Sequence, residues 1–257
     1  MKRENKGKQQ YNIKLLLMYE GSKFSGWQRL GNGKELTTIQ GILEHLLSSL
    51  FEEDVKVIGS GRTDAGVHAY EQVANFHVSK KIDLLKLQRR MNEELPKEIQ
   101  IIGAEYVSNQ FHSRYDAVSK YYEYHIATGD VESVFYRNQR LYVKGQLDVA
   151  SMREGAKLLC GTHDFAGFSS AMPDGRSTIK TLYEVEIIEQ ENGFVIRYHG
   201  DGFLYNMVRI MTGTLLEIGL GKRKVNTILE VFDNKKRQNA GITVPGIGLF
   251  LKKVVYL

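Results

Sequence analysis

The sequence predicts an α+β fold built from two ferredoxin-like halves. Two observations support this: strand and helix patterns alternate along the chain, and the second half repeats the order of elements found in the first. The halves show no detectable sequence repeat, so the duplication is one of architecture. We assign a flexible basic tail to residues 1–10, the first half to residues 11–112 and the second half to residues 113–257.

The first half alternates strands and helices. An apolar run predicts a buried strand over residues 11–19, and Thr37 followed by Gln40 resembles a capping box. Apolar residues then recur at helical spacing from residue 39 to residue 50. Alternation around residues 74–78 predicts a half-buried strand. A helix over residues 82–92 and a strand over residues 99–107 follow.

The second half follows the same order. Asp148 stands at an N-cap position, and Glu191-Asn192-Gly193 is typical of a hairpin turn. The predicted strands cover residues 120–128, 181–189, 194–199 and 249–255, and the predicted helices cover residues 148–160, 203–220 and 226–232.

Composition limits the class of protein. Of the 257 residues, 42% are hydrophobic and 25% are charged, which is typical of a globular protein. No apolar run has membrane-spanning length and no signal-peptide core is visible, so we expect a cytoplasmic protein without a membrane partner. The single cysteine, Cys160, excludes an intramolecular disulfide and is expected to be a buried thiol. A net charge of +5 suits a polyanionic partner without identifying one.

The stretch GSGRTDAGVHA, residues 59–69, is the most informative part of the chain. It sets the carboxylate of Asp64 beside the guanidinium of Arg62 in a loop whose three glycines permit close approach to a ligand. An ionised carboxylate in a pocket can be a nucleophile, a base or a metal ligand, and Arg62 can pair with it or contact a phosphate. The alternative is an Asx-turn in an ordinary loop.

The long helix predicted over residues 203–220 carries an anomaly. Asn206, Arg209 and Thr212 recur every third residue and form a narrow polar seam on an otherwise apolar helix. A buried arginine needs a partner, so Arg209 either pairs with a site carboxylate such as Asp64 or forms a structural ion pair elsewhere. A third possibility is an arginine that extends to the helix edge.

Aromatic and basic residues alternate in residues 111–115 (FHSRY) and 120–124 (KYYEY). Nucleic-acid bases stack on tyrosine rings while basic side chains contact phosphates, although strand packing explains such tyrosines equally well. On a strand, Tyr122 and Tyr124 share one face, and Tyr121 and Glu123 share the other. At most one of these two pairs should therefore reach a site.

Other kinds of site are weakly supported. His163-Asp164 resembles a metal phosphohydrolase dyad, but the seven histidines show no ligand spacing and one cysteine cannot build a thiolate centre. Phosphate-binding, dinucleotide-binding and serine-hydrolase motifs do not occur in the sequence.

Taken together, the motifs resemble the tRNA pseudouridine synthase A family along the whole chain. The loop of residues 61–69 resembles the sequence around the family's catalytic aspartate, and other matches stand in the family's order. These other motifs are YEG at 19–21 with FSGWQ at 24–28, TIQG at 38–41, Phe111-His112 with Arg114, GTHDF at 161–165, FLYNMVR at 203–209 and AGIT at 240–243.

The resemblance implies a fold, a partner and a reaction. It implies two ferredoxin-like halves joined into one extended, mostly antiparallel sheet with helices on one face, and a homodimer that binds tRNA. The family isomerises uridine to pseudouridine in the anticodon stem-loop, at nucleotides 38, 39 and 40, with no cofactor and no metal. A paired base must be flipped out of its stem to react. A paralogue acting on another RNA site and a non-catalytic RNA-binding module are the alternatives.

The resemblance also implies residue roles. Asp64 would be the nucleophile, attacking C1′ of the ribose or C6 of the uracil, and Arg209 would pair with it. Tyr122 would stack on the target base and assist proton removal at C5, while its neighbour Tyr121 is the alternative for this position. The remaining residues expected to bind the RNA substrate are Arg62, His68, Arg114 and Leu204. The loop of residues 29–38 is longer than in many members of the family.

Overall fold

The computed structural model describes residues 10–170 and 177–257, so all but the last residue of the predicted tail lies outside it. In the described part, ten strands form one mostly antiparallel sheet that is combined with five α-helices, which confirms the predicted fold class. The strands are β1 (Tyr11–Tyr19), β2 (Ile58–Gly59), β3 (His68–Val78), β4 (Ile99–Val107), β5 (Ala117–Ala127), β6 (Leu141–Tyr142), β7 (Gly161–Asp164), β8 (Ile179–Gln190), β9 (Gly193–Gly200) and β10 (Leu249–Tyr256). The helices are α1 (Ile39–Phe51), α2 (Leu84–Glu94), α3 (Val149–Leu159), α4 (Met207–Gly219) and α5 (Thr227–Asn234).

The last strand of the chain lies in the middle of the sheet. The strand order is β4-β1-β3-β10-β5-β9-β8-β7, with β2 paired to β3 and β6 paired to β5. Strand β10 runs parallel to β3, where Phe250 lies opposite His68, and antiparallel to β5, where Leu251 lies opposite Tyr122. The start of β3 and the middle of β5, around Tyr122, are thereby brought close together on either side of β10.

Strand β1 is buried on one face but only partly buried on the other, in contrast to the fully buried strand that its apolar run predicts. Ile13, Leu15 and Leu17 have no exposed surface, whereas Met18 is 38% exposed. Alternate residues point to opposite faces of a strand, so at Met18 the second face is open to solvent. The continuous apolar run therefore predicts more burial of β1 than the structure has.

The cap of α1 differs from the predicted capping box. Thr38 is the N-cap, and its hydroxyl oxygen accepts a hydrogen bond from the Gly41 amide at 3.3 Å. Thr37 ends a short 3₁₀ turn and donates its hydroxyl to the Lys34 carbonyl. The side chain of Gln40 reaches Glu44 and the Val57 carbonyl, so it does not close a box with either threonine.

Strand β3 is buried on both faces at Asn75, where a half-buried strand was predicted. The segment before β5 covers this position, and Asn75 is fully buried there. Its side chain donates to Asn12 at 3.0 Å and accepts from the amide and hydroxyl of Ser113. These hydrogen bonds compensate the amide for its loss of water.

Helix α4 begins four residues later than predicted, at Met207. Asn206 has φ of +61°, a left-handed conformation that an α-helix cannot include, so the residues before it form an irregular segment. The predicted seam is therefore not continuous. Thr212 is fully buried and lies 2.8 Å from the Tyr198 hydroxyl, whereas Asn206 and Arg209 belong to the site described below.

The other predicted helices and strands agree with the structure to within three residues at each end. Strands β2, β6 and β7 were not predicted, and β3 begins at His68, six residues before the predicted strand. Asp148 caps α3, accepting from the Ser151 amide at 3.0 Å, and β8 and β9 form the predicted hairpin. Within the described residues, no helix has both the length and the apolar character that crossing a membrane requires.

Candidate active site

A cavity of about 880 Å³ lies where the loop before β3, the start of β5 and the segment leading into α4 meet. This volume is within the usual range for sites that enclose a small molecule or a single nucleotide. Its described lining includes the charged side chains Arg62, Asp64, Arg114, Lys120, Lys180 and Arg209, and the aromatic side chains Trp27, Tyr115, Tyr122, Phe203 and Tyr205.

Asp64 and Arg209 form an ion pair in this cavity. A terminal guanidinium nitrogen of Arg209 donates to Asp64 Oδ2 at 2.8 Å, although the two residues are 145 positions apart in the chain. The same nitrogen donates to Asn206 Oδ1 at 2.7 Å, and Nε donates to the Val244 carbonyl at 2.8 Å. Arg209 is therefore fixed by three acceptors, and it holds the carboxylate in one orientation.

The second carboxylate oxygen of Asp64 is open. Among the described residues Oδ1 accepts no hydrogen bond, and the Asp64 side chain keeps 24% of its surface exposed toward the cavity. The predicted alternative of an Asx-turn is not what the structure has, because the hydrogen bond that the Asp64 side chain accepts comes from Arg209 and not from a nearby backbone amide. An oriented carboxylate with one unsatisfied oxygen can act as a nucleophile or as a base.

The loop that carries Asp64 is held from beneath by buried polar groups. The Thr63 hydroxyl lies 2.8 Å from the Tyr19 hydroxyl, and the Thr63 carbonyl accepts from the Trp27 amide at 2.9 Å. Gln72 donates to the Gly61 carbonyl and accepts from the Ser60 hydroxyl at 2.6 Å. Burial raises the pKa of Tyr19 to about 12, so its hydroxyl keeps its proton and its hydrogen bonds at neutral pH.

The loop glycines make room for protein side chains. A Cβ at Gly59 would overlap the indole ring of Trp27, and a Cβ at Gly61 would lie 2.9 Å from the Lys120 ammonium. The sequence suggested a loop that adapts closely to a ligand. At these two positions the close approach is instead to Trp27 and Lys120, which pack against the loop.

Of the two tyrosines considered for this position, Tyr122 lines the cavity and Tyr121 does not. Its ring packs edge-on against Phe203, with 5.0 Å between centroids, and only 7% of the residue is exposed. Burial raises the pKa of Tyr122 far above its ordinary value, with smaller contributions from Tyr19 and Asp64, so its hydroxyl is neutral at physiological pH. Tyr121 points to the other face of β5 and stacks on His199 at 3.8 Å.

Three of the four other predicted RNA contacts also line the cavity. Arg62 is exposed, and in the part of the chain that the structure describes it has no ion-pair or hydrogen-bond partner. Arg114 is exposed as well and lies over the Tyr115 ring at 5.9 Å. Leu204 is half-buried in the segment before α4.

His68 is not brought to the cavity. It is 1% exposed, its Nδ1 accepts from the Gly21 amide at 3.0 Å, and its Nε2 lies 3.0 Å from the Ile247 carbonyl. Its ring stacks on Phe250 at 4.5 Å. His68 thus joins β3 to the segment before β10, and this geometry gives it no contact with a molecule in the cavity.

The His163-Asp164 pair has structural contacts. The His163 ring stacks on Phe232 at 4.3 Å and its Nε2 lies 2.9 Å from the Cys160 carbonyl. Asp164 caps a 3₁₀ turn and pairs with Lys235 at 2.8 Å. Nowhere in residues 10–170 and 177–257 do three or more His, Cys, Asp or Glu side chains come together as metal ligands.

Two lysines also line the cavity. In the sequence, Lys120 was noted only as part of the alternating segment 120–124, and Lys180 was not noted. Lys120 donates to the Ser60 carbonyl at 2.7 Å, and Lys180 lies at the start of β8 beside Gly202. The alternation in β5 places Lys120 on the face of Tyr122, which is the signal that identifies it. Lys180 carries no comparable signal, because an isolated lysine near the start of a strand is common on protein surfaces.

Comparison with known proteins shows the family of the chain. The family model described as tRNA pseudouridine synthase matches residues 16–116 and 156–257. The chain belongs to the tRNA pseudouridine synthase family. The matched ranges contain Asp64, Arg209, Arg62 and Arg114, and membership shows the chain to be a pseudouridine synthase, an isomerase.

Individual relatives match over nearly the full length. The chain is 41% identical over 246 residues to tRNA pseudouridine synthase A 2 of Bacillus anthracis, covering 95% of this chain and 99% of that protein. It is 40% identical to tRNA pseudouridine synthase A 2 of Clostridium tetani (95% and 98%) and 41% identical to tRNA pseudouridine synthase A of Clostridium kluyveri (95% and 99%).

Proposed function

We propose that this protein converts uridine to pseudouridine in the tRNA anticodon stem-loop, at nucleotides 38, 39 and 40, with Asp64 as the nucleophile. The observation that carries the proposal is the fixed Asp64–Arg209 pair, whose open carboxylate oxygen faces a cavity large enough for a flipped nucleotide. The family relationship supports the reaction class, and the choice of these three nucleotides follows from the resemblance to the A-type members.

Charge at the cavity supports an RNA substrate. Its described lining has five basic side chains and one acidic side chain, and the acid is already paired with Arg209. The four described cations left without a carboxylate partner favour a polyanion. They are Arg62, Arg114, Lys120 and Lys180.

The reaction is a rearrangement that needs no external reagent. Asp64 attacks C1′ of the ribose or C6 of the uracil, and the N1–C1′ bond breaks. The detached ring turns, C5 bonds to C1′, the bond between Asp64 and the carbon that it attacked breaks, the proton leaves C5 and N1 gains a proton. The pocket must exclude water while the ring is detached, because hydrolysis would otherwise capture the intermediate.

Tyr122 and Arg62 have distinct roles in this proposal. The buried ring of Tyr122 stacks on the flipped uracil, and its neutral hydroxyl relays the proton that leaves C5. Arg62, exposed at the rim, contacts the RNA backbone or fills the space that the flipped nucleotide vacates. Arg114 and Leu204 complete the contact surface.

A homodimer in the cytoplasm is part of the proposal. The segment after β5 exposes three apolar side chains, Val131, Val134 and Phe135, which are 84%, 62% and 88% exposed. Exposed apolar side chains grouped in this way are typical of association surfaces. Light scattering of the purified protein would measure a mass of twice 29.3 kDa.

One assay tests the function. Unmodified tRNA is incubated with the protein in the presence of EDTA, and pseudouridine is mapped by carbodiimide treatment and primer extension. We expect stops at nucleotides 38 to 40 with the wild type and none with Asp64→Ala. Absence of product with the wild type, or undiminished product with Asp64→Ala, contradicts the proposal, and product at other nucleotides contradicts its site specificity. Loss of product on chelation would instead indicate a metal-dependent reaction.

A further inference from the structure

A group of three cations occupies one region of the cavity. The Lys120 ammonium lies against the loop that carries Asp64, where it donates to the Ser60 carbonyl at 2.7 Å. Lys180 and Arg114 line the same cavity, and both are close enough to act on Lys120 electrostatically. Like charges are rarely gathered in a partly buried place unless an anion joins them.

The described residues supply no such anion. Asp64 is paired with Arg209 at 2.8 Å. Asp116, two residues after Arg114, accepts a hydrogen bond from the His112 backbone amide, and Asp201 accepts one from the amide of Thr181, the residue after Lys180. Neither lysine forms an ion pair within residues 10–170 and 177–257.

Lys120 is held at an electrostatic cost. Burial lowers the pKa of Lys120 to about 8, and the charges of Arg114 and Lys180 act in the same direction. An ammonium group has three N–H donors, and Ser60 takes one of them here. Two donors are therefore available to an oxyanion that enters the cavity.

We propose that Lys120 and Lys180, together with Arg114, form a subsite for one backbone phosphodiester of the RNA strand adjacent to the flipped nucleotide. The inference rests on the proposed function and adds a defined contact to it. A phosphodiester matches the subsite because it is a compact anion whose oxygens accept several hydrogen bonds at once. A flipped base, which is uncharged, would leave the three cations uncompensated.

The subsite also links RNA binding to the position of Asp64. Lys120 holds the Ser60 carbonyl, four residues before Asp64, in the same loop. A phosphate bound to Lys120 keeps its ammonium charged and its bond to Ser60 intact. Lys120 is therefore a positioning residue for Asp64 in addition to a phosphate ligand.

A charge-deletion cycle tests the subsite. We would prepare a set of anticodon stem-loop RNAs, each with one phosphate flanking nucleotides 38 to 40 replaced by a neutral methylphosphonate. The affinity of each RNA is then measured for the wild type and for Lys180→Met. At one phosphate we expect neutralisation to weaken wild-type binding about tenfold, as loss of a charged hydrogen bond does. The same RNA should bind Lys180→Met no more weakly than the unmodified RNA does.

Two further variants control the cycle. Lys120→Met is expected to show the same loss of sensitivity at the same phosphate. Lys157→Met, an exposed lysine of α3 outside the cavity, is expected to retain the full tenfold effect. If the loss of affinity caused by the methylphosphonate and the loss caused by the lysine substitution multiply at every phosphate, the two groups do not interact. That result would overturn the subsite.

Failure of the subsite and failure of the proposed function give different results. Binding is measured without turnover, and pseudouridine formation by the wild type is measured separately on the unmodified RNA. Turnover without any coupled phosphate contradicts the subsite alone. A coupled phosphate without turnover supports the subsite and contradicts the proposed function alone.

Discussion

Two carboxylate–guanidinium pairs in this protein are built in opposite ways. Glu44 of α1 is the fixed partner of its pair: Oε1 accepts from Gln40 and the Val57 amide, both at 3.1 Å, and Oε2 accepts from Arg29 at 3.1 Å. Its side chain is 7% exposed, whereas that of Arg29 is 44% exposed. In the cavity, Arg209 is the fixed partner, and the carboxylate of Asp64 is the more exposed one.

This difference separates a structural acid from a reactive one. Both oxygens of Glu44 accept hydrogen bonds and its side chain is 7% exposed, so the carboxylate is closed to another molecule. Asp64 has one satisfied oxygen and one open oxygen, and its orientation is set by an arginine that is itself held by Asn206 and Val244. The contrast indicates that an unsatisfied carboxylate oxygen, more than the presence of an ion pair, distinguishes the proposed nucleophile from a structural acid.

The largest effect is expected for Asp64→Asn. Asparagine keeps the shape of the side chain but lacks the nucleophilic carboxylate, so turnover should fall by at least about 10³-fold. Affinity for tRNA should change little, because the cations of the cavity remain. Single-turnover pseudouridine formation and filter binding measure the two effects, and a parallel fall in both would argue for a role of Asp64 in binding.

Arg209→Lys is expected to be nearly as damaging. Lysine has no planar fork, so it cannot hold Asp64, Asn206 and the Val244 carbonyl together, and turnover should fall by about 10²-fold or more. We expect tRNA affinity to be largely retained. Arg197→Lys is the matched control, since Arg197 pairs with Glu123 and Glu186 away from the cavity. Equal losses in the two variants would contradict the special role of Arg209.

Tyr122→Phe separates stacking from proton transfer. Phenylalanine keeps the ring face, so affinity for tRNA should be unchanged, while loss of the hydroxyl should slow turnover by about 10²-fold. The measurement is the single-turnover rate at saturating enzyme. A rate equal to that of the wild type would show that the hydroxyl takes no part in the reaction.

Glu44→Gln should affect stability and spare activity. One of the two accepting oxygens becomes an NH2 group that cannot accept, so at least one of three hydrogen bonds is lost and the others lose their charge. This change should lower the free energy of unfolding by about 1–3 kcal/mol. Urea denaturation measures this loss. Turnover per folded molecule should equal that of the wild type, and a large loss of turnover would remove the distinction between the two pairs.

The smallest effect is a pH dependence of stability at Lys120. Its pKa is lowered from 10.5 to about 8 in the folded protein, so above pH 8 the unfolded chain binds more protons than the native protein. The contribution of Lys120 to stability therefore rises with pH between about 8 and 10.5. Urea denaturation at pH 7.5 and 9.5 should show the wild type gaining stability relative to Lys120→Met. If the wild type gains no stability relative to Lys120→Met between these two pH values, the lowered pKa of the buried Lys120 ammonium is contradicted.

Much of the site was predictable because its chemistry is unusual for its surroundings. A carboxylate in a glycine-rich loop and an arginine on an apolar helix both require partners, and the structure pairs Asp64 with Arg209. The wider resemblance then assigned Tyr122, which the structure places in the cavity while Tyr121 faces away. The roles of these residues in catalysis stay predictions, as does the boundary between residues 112 and 113.

The parts that were not predictable depend on tertiary geometry. Periodicity cannot show that Asn206 adopts a left-handed conformation. The predicted start of α4 and the predicted polar seam through Thr212 were therefore wrong. Alternation assigns a face to Asn75 without showing that another segment covers it. The motif that contains His68 gave no sign that its ring would be enclosed between two segments of backbone.

The central claim is that the open carboxylate of Asp64, and not the saturated one of Glu44, performs the reaction. The most direct measurement determines both the single-turnover rate of pseudouridine formation and the free energy of unfolding for Asp64→Asn and Glu44→Gln, side by side. We predict a double dissociation, in which Asp64→Asn loses turnover and Glu44→Gln loses stability alone. Pseudouridine formed by Asp64→Asn at the wild-type rate would contradict the account.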